Sequence, residues 1–291
     1  MTELERKEQW SIDFLRTIEA HTPDLYLAYS GGKDSDVLLH IARKAKIPLT
    51  AYYTNTTIDP PHTIPHVKAQ NIVTIINPPR SFYTLIEHRG LPSSFRRFCC
   101  TLIKERFVAE NIITGIRRWE SKRRAQKYKE PIICFEHKSG RKGQRFMPIL
   151  DWTDENMKDY IAAEQIQCHP LYYDNTGRFC VERRLGCLGC PLPTNRSIED
   201  FKRYPKLVKA WCRAAAVYRN SRKTLGTSIT NYRDEYEYFY HNLFNYRIAQ
   251  LFAQQREEPR NFARERLQQF FQIELPPPKS ALEDLMPIRN F

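Results

Sequence analysis

The sequence predicts an α/β fold with a doubly wound, mostly parallel sheet and a helical C-terminal region. Three observations lead to this prediction. Up to about residue 195, short apolar runs alternate with amphipathic stretches, a glycine-rich loop follows the first apolar run, and helical periodicity continues beyond it. Strands that alternate with helices form parallel sheets through right-handed crossovers.

The elements follow in order along the chain. Residues 1–20 have apolar side chains at helical spacing, and the aromatic-rich run 25–29 predicts a buried strand. A helix follows the glycines and ends before Pro48, with Asp34, Ser35 and Asp36 offering capping groups at its start. Further strands are predicted at 49–53, 72–76 and 112–116, and further helices at 102–109 and 151–166.

The later part of the chain predicts an exposed loop or hairpin over 117–145, a turn-rich loop over 169–193, and helices to about residue 273. In the aromatic stretch 232–246, Tyr232, Tyr236 and Tyr240 recur at helical spacing, which predicts core positions. We therefore expect two domains, 1–195 and 196–291.

The charge is unusual. Lys and Arg outnumber Asp and Glu by 46 to 33, a formal net charge of +13. Residues 117–145 hold eleven Lys or Arg against three Glu. This surplus favours a polyanionic partner such as nucleic acid or a nucleotide. A solvated basic loop without a ligand is the alternative.

No run approaches the roughly 18 apolar residues of a membrane span, and the first residues lack the order of a signal peptide. We therefore expect a cytoplasmic protein that does not bind membranes. Its eight cysteines should stay reduced, so clustered ones indicate a metal or catalytic site. The isolated Cys134, Cys168 and Cys212 are predicted to be small buried hydrophobes.

The most specific motif is Ser30-Gly31-Gly32-Lys33-Asp34-Ser35, between a predicted strand and a predicted helix. The glycines allow a tight turn that presents backbone N–H groups, and the helix N-terminus adds a partial positive charge. Lys33 can reach phosphate oxygens, and Asp34 can hold Mg²⁺. The sequence therefore predicts a phosphate-binding loop that is not of the Walker type.

This motif resembles the SGGxDS signature of the PP-loop ATP pyrophosphatases. Within that superfamily the chain is most similar to the branch of phosphoadenosine phosphosulfate (PAPS) reductases, and closest to the iron–sulfur ATPases of DNA phosphorothioation. The resemblance implies an adenine nucleotide alpha hydrolase-like fold that cleaves ATP to AMP and pyrophosphate. The other matching segments are Thr114-Gly115-Ile116-Arg117 with Glu120, Ser121 and Arg124, then Pro148-Ile149 with Trp152-Thr153, then His169-Pro170-Leu171-Tyr172, and Gly186-Cys187 to Cys190-Pro191.

Site residues are carried over from the matching positions. The resemblance implies catalytic roles for Lys33, Asp34 and Arg117. It places ATP and Mg²⁺ on a set of residues that comprises Ser30, Gly31, Gly32, Lys33, Asp34, Ser35, Asn55, Thr56, Gly115, Arg117 and Arg124. Asn55 and Thr56 would lie near the adenine.

The cysteines Cys99-Cys100 and Cys187-x-x-Cys190 can supply four thiolates, which suits a zinc ion or a [4Fe-4S] cluster. Spacing does not choose between the metals, whereas the resemblance favours the 4Fe-4S cluster. Two ligand sets stay open, because Cys180 can replace Cys99 as the partner of Cys100, Cys187 and Cys190.

Three functions follow as hypotheses. The first is an ATP pyrophosphatase that adenylates an acceptor for sulfur insertion, with DNA or tRNA as the leading acceptors and a cysteine desulfurase or another protein as sulfur donor. The second is a PAPS or adenylylsulfate reductase. The Lys33-Asp34 pair and the lack of a cysteine after Cys212 favour ATP over a sulfonucleotide. The third is a non-catalytic nucleic-acid-binding protein, against which the intact loop motif argues.

Overall fold

The computed structural model describes residues 1–107, 109–136, 140, 142–192, 194–222, 231–244 and 248–279. Its sheet has six strands, in the order β3-β2-β1-β4-β6-β5. The strands are β1 Leu25–Ala28, β2 Thr50–Thr54, β3 Val73–Ile76, β4 Asn111–Ile113, β5 Ile132–Glu136 and β6 Lys142–Phe146. All neighbouring pairs are parallel except β5 with β6. The predicted doubly wound, mostly parallel fold is confirmed.

Helices fill most of the remaining described chain. They are α1 Glu3–His21, α2 Lys33–Ala45, α3 Thr63–Ala69, α4 Phe82–Arg89, α5 Lys122–Lys127, α6 Asp154–Ala163, α7 Thr194–Arg203, α8 Lys206–Arg222, α9 Glu235–Phe244, α10 Ile248–Glu257 and α11 Phe262–Phe271. The helical C-terminal region is therefore confirmed. Among the helices of these ranges, none has both the length and the apolar character that a bilayer span requires.

Several predicted elements differ in detail. The helix predicted at 102–109 is instead a short π-helical turn, Cys100–Lys104, and residues 105–107 are not helical. The segment 117–145 contains the predicted hairpin, β5 and β6, but also α5. Helices α3 and α4 are absent from the sequence prediction. Gly32, rather than Asp34, Ser35 or Asp36, occupies the N-cap of α2.

The chain divides into two compact units. The first comprises Met1–Asn55, Asp59–Asn77 and Lys104–Gly186, and the second Thr56–Ile58, Pro78–Ile103 and Cys187–Phe291. The boundary predicted at residue 195 stays a prediction. Each unit has its own apolar core: the first packs the sheet against helices around Leu15, Leu27 and Leu38, and the second is built around Phe201, Trp211 and Phe239.

Two of the three isolated cysteines are buried and one is exposed. Cys168 and Cys212 are buried, as predicted. Cys134 is exposed, and the prediction that it is buried is wrong, because it occupies an outward position of β5 at the edge of the sheet. In the second unit Tyr236 is buried, and Tyr232 and Tyr240 pack partly buried against the core. Residues 245–247, including Tyr246, and the tail 280–291 lie outside the described residues.

Candidate nucleotide-binding site

The glycine-rich loop joins β1 to α2, as the sequence predicts. Gly31 has a φ of +72°, a conformation that favours glycine. The carbonyl of Gly32 accepts from the N–H groups of Ser35 at 2.8 Å and Asp36 at 3.0 Å, which begins α2. The positive end of the α2 dipole lies at this loop. This geometry suits an anion.

The two serines of the motif hold the loop in shape. The Ser35 hydroxyl donates to the Gly32 carbonyl at 2.8 Å and accepts from the Ser30 N–H at 3.2 Å. The two hydroxyl oxygens are 3.2 Å apart. The loop is therefore braced by its own side chains.

Gly115 brings a second loop against the first. It follows β4, the neighbour of β1 on the side opposite β2, so the two loops lie at the point where the strand order reverses. Open α/β sheets bind ligands at such a point. A Cβ at residue 115 would lie 2.9 Å from the backbone oxygen of Asp34, so a side chain here would separate the loops.

Lys33, Asp34 and Arg117 contact one another. The Lys33 Nζ lies 3.2 Å from Asp34 Oδ2, and Arg117 Nε donates to Asp34 Oδ1 at 2.6 Å. Arg117 is buried and also donates to the Trp152 carbonyl at 3.0 Å and to Asp154 Oδ1 at 2.7 Å. The carboxylate of Asp34 is therefore held between two cations at the start of α2.

A further arginine pair extends this cationic region. Arg124 forms an ion pair with Glu120, and its pKa is lowered first by burial and then by the charge of Arg184. Asp34 and Arg117 also act on its pKa. The predicted residue Arg124 therefore lies within electrostatic range of the loop. Arg184 is absent from the sequence prediction, although it lies only three residues before Cys187.

A buried polar network lies beside the loop, and the sequence reasoning missed it. Asp36 Oδ1 accepts from the Tyr29 hydroxyl and contacts His66 Nε2 at 3.0 Å. Burial raises the pKa of Asp36, with the His66 contact opposing the shift. Burial, and after it the charge of Asp36, also raises the pKa of the Cys168 thiol. Tyr29 and Asp36 thus join the two ends of the loop.

His169, from the predicted His-Pro-Leu-Tyr segment, is buried and close to this network. Its Nδ1 accepts from the Leu171 N–H at 3.0 Å, and its Nε2 lies 3.2 Å from the Thr63 hydroxyl. Burial, with a smaller effect of His66, lowers its pKa to about 4. The imidazole is therefore neutral at pH 7.

The residues predicted near the adenine belong to different units. Asn55, in the first unit, donates from its N–H to the Ile76 carbonyl at 3.0 Å and from Nδ2 to Asn77 Oδ1 at 2.9 Å. These bonds fix it at the carboxyl end of β2. Thr56 is buried in the second unit.

Four of the five candidate cysteine ligands belong to the second unit. There a hydrogen bond with Cys100, then burial and the neighbouring Cys187, raise the pKa of Cys99. Cys190 is half-buried and follows Gly189, whose φ of +67° makes the tight turn of the motif. Cys180 belongs to the first unit.

Interaction between these thiols does not by itself make a metal site, which requires several ligands arranged around one point. Among the described side chains, no group of three or more His, Cys, Asp or Glu is arranged to hold a metal ion. All eight cysteines are described, and none is in a disulfide. The structure brings Cys99, Cys100 and Cys187 within range of one another without forming a coordination geometry.

Known proteins similar to the chain include enzymes of adenylyl transfer. It is 27% identical over 199 residues to an uncharacterized protein of Methanocaldococcus jannaschii, a match that covers 63% of this chain and 46% of that protein. It is 30% identical over 226 residues to sulfate adenylyltransferase subunit 2 of Rhizobium johnstonii, covering 62% of this chain and 67% of that one. The chain spans a little under half the length of the first archaeal relatives.

A crystal structure of phosphoadenylyl-sulfate reductase from Candida auris, a phosphate complex, is similar to the chain with a TM-score of 0.46 and 19% identity, over 64% of this chain and 96% of that one. The profile of the phosphoadenosine phosphosulfate reductase domain matches residues 24–193, which include the loop, Arg117 and both cysteines of the Cys-x-x-Cys motif. Since this match covers more than half of the 291 residues, the chain belongs to the phosphoadenosine phosphosulfate reductase domain family.

Proposed function

We propose that the chain is an ATP pyrophosphatase that adenylates an acceptor and releases pyrophosphate. The observation that carries this proposal is the contact of Asp34 with both Lys33 and Arg117 at the N-terminus of α2. A cationic pair around one carboxylate, at the positive end of a helix, suits a polyphosphate and its metal ion. Membership of the family and the adenylyltransferase relatives support adenylyl chemistry.

In this reaction an oxygen of the acceptor attacks the α-phosphorus of ATP. The bond between the α-phosphorus and the bridging oxygen breaks, and pyrophosphate leaves with the electron pair. The loop N–H groups and Lys33 would bind the leaving pyrophosphate, and Arg117 and Arg124 would stabilise the charge that develops on it. Asn55 and Thr56 would bind the adenine.

Asp34 is the residue that would hold Mg²⁺. Magnesium is commonly bound by one or two carboxylates together with substrate phosphates, so a single carboxylate at this position fits the ion. When bound, Mg²⁺ would neutralise phosphate charge. Lys33 and Arg117 would keep the Asp34 carboxylate oriented toward the phosphates.

Pyrophosphate release from ATP tests the proposal. We expect release in the presence of an acceptor, with sulfate, single-stranded DNA and tRNA tested separately. Lys33→Gln should abolish it because the buried ammonium is lost. Lys44→Gln is the matched control, since Lys44 lies on the same helix but pairs with Glu164 and Glu8 instead. No release with any acceptor would overturn the proposal.

We further propose that the acceptor is nucleic acid, DNA or tRNA, and that the adenylated oxygen is replaced by sulfur from a donor such as a cysteine desulfurase. The net charge of +13 and the basic segment 117–145 support a polyanionic acceptor. Sulfate supporting pyrophosphate release while nucleic acids do not would contradict this part alone.

The 4Fe-4S cluster is also part of the proposal, with Cys99, Cys100, Cys187 and Cys190 as its ligands and Cys180 as the alternative to Cys99. The effect of Cys100 and Cys187 on the pKa of Cys99 supports it. The described side chains are not already arranged around a metal ion. Iron and sulfide analysis after anaerobic purification tests it. Cys187→Ala should lose iron and the exposed Cys134→Ala should not. Full iron retention in Cys187→Ala would exclude this site.

A reductase is the second candidate function, favoured by the family to which the chain belongs. It predicts release of sulfite from PAPS or adenylylsulfate with thioredoxin as reductant. Sulfite release without pyrophosphate release from ATP would replace the first function with this one.

A further inference from the structure

Trp119 is the most exposed of the four tryptophans. Its side chain is 65% exposed, whereas Trp152 and Trp211 are buried. Trp10 is 48% exposed but stacks on Phe14, with ring centroids 5.0 Å apart. Within the described residues, no aromatic ring packs against Trp119. One face of a large aromatic side chain is therefore open to a ligand.

The turn that carries Trp119 is fixed on both sides. It is the 3-10 turn Arg118–Glu120, in which the Arg118 N–H donates to the Leu150 carbonyl at 2.9 Å. Glu120 accepts from the Arg117 N–H at 3.3 Å and pairs with Arg124. Because the backbone of this turn is already fixed, binding has to order only the Trp119 side chain.

Cations follow directly after this turn. Lys122 and Arg123 are exposed, and in the described part of the chain neither forms an ion pair with a carboxylate. We call Trp119, Lys122 and Arg123 the Trp119 surface. An open aromatic ring among unpaired cations matches the chemistry of a nucleobase and its phosphates.

The Trp119 surface adjoins the proposed ATP site. Arg117, two residues before Trp119, contacts Asp34 at 2.6 Å. Arg124 directly follows Arg123, and the charges of Asp34 and Arg117 affect its pKa. The residues on either side of the Trp119 surface therefore belong to the proposed ATP site.

We propose that Trp119 stacks on an unpaired base of a single-stranded nucleic acid while Lys122 and Arg123 bind its flanking phosphates. This inference rests on the proposed function, because the bound strand would be the acceptor that is adenylated. A ring that stacks on a base needs that base unstacked, so single strands should bind better than duplexes.

Fluorescence anisotropy with labelled oligonucleotides of one mixed sequence, as single-stranded DNA, single-stranded RNA and duplex DNA, tests the inference. Trp119→Ala should weaken single-strand binding about fivefold to a hundredfold, and Trp119→Tyr, which keeps a stacking ring, should restore most of it. The double variant Lys122→Gln/Arg123→Gln should lower the salt dependence of binding by about 1.4 in log–log slope, as expected for two single-strand phosphates. The arms with DNA and RNA show which strand is the ligand.

Trp10→Ala is the matched control, because it removes the other exposed tryptophan from α1. Equal binding by Trp119→Ala and wild type, or equal losses in the two alanine variants, would overturn the inference, and so would equal affinity of wild type for duplex and single strand. These measurements need no ATP. Pyrophosphate release with sulfate in a protein that binds no oligonucleotide would overturn the Trp119 surface together with the nucleic-acid acceptor and leave the ATP pyrophosphatase standing. Oligonucleotide binding without pyrophosphate release would overturn the ATP pyrophosphatase alone.

Discussion

Replacing Arg117 by alanine should destabilise the first unit and weaken ATP binding together. The guanidinium is 1% exposed and donates to Asp34, the Trp152 carbonyl and Asp154. Removing one partner of a buried ion pair costs about 3–5 kcal/mol. Because the Asp154 side chain is 53% exposed, we expect the lower end, about 3 kcal/mol. For a chain of this size the melting temperature should fall by about 6–12 °C, measurable by scanning calorimetry.

The neighbouring arginine provides the control. Arg118 pairs with Asp151 at 2.9 Å, but the two side chains are 31% and 62% exposed. Such a pair contributes about 0–1 kcal/mol, so Arg118→Ala should change the melting temperature by a few degrees at most. Arg117→Lys keeps the charge but not the forked geometry, and should lie between wild type and Arg117→Ala. An unchanged melting temperature in Arg117→Ala, or equal losses in the two alanine variants, would refute the reasoning.

Three further predictions follow from the same structure. Gly115→Ala places a Cβ 2.9 Å from a backbone oxygen of Asp34, so about 1–3 kcal/mol of stability and part of the ATP affinity should be lost; Gly177→Ala, with open space but a φ of +82°, should leave calorimetric ATP binding unchanged. The lowered pKa of His169, about 4, means that its stabilising contribution is lost as pH falls from about 6.5 to 4, and urea unfolding of His169→Asn should show a flatter pH profile than wild type. Asp234 has the opposite effect on the pH dependence of stability, because burial raises its pKa to about 6. Its contribution to the free energy of unfolding therefore declines as pH rises from about 4 to 6. Asp234→Asn should be more stable than wild type at pH 7, and a less stable variant would contradict this.

The sequence predicts the β1–loop–α2 unit well, because glycines and alternating apolar runs act locally. It fails at 102–109, where one helix is predicted. The division between the two units falls at Lys104, inside that segment, so apolar spacing there reflects Ile103 packing in the second core rather than one continuous helix. Helix α3 is only seven residues long, too short for periodicity to reveal.

The site shows the same limit. Lys33, Asp34 and Arg117 follow from motifs, and the structure brings them together. Asp154 and Arg184 carry no comparable signal, since their roles depend on contacts across tens of residues in sequence. The Asp36 and His66 pair is likewise a product of the fold, in which α3 is placed beside α2.

The hydrogen bond between Tyr29 and Asp36 closes the phosphate loop into a ring whose base lies in the protein interior. An open loop would lose conformational entropy when it binds its ligand. In this loop that entropy is lost during folding instead. A phosphate group then meets a loop whose shape is already set, so little binding energy is consumed in shaping it. The identity of residues 33 and 34 can therefore change which nucleotide is bound without changing the hydrogen bonds that hold the ring.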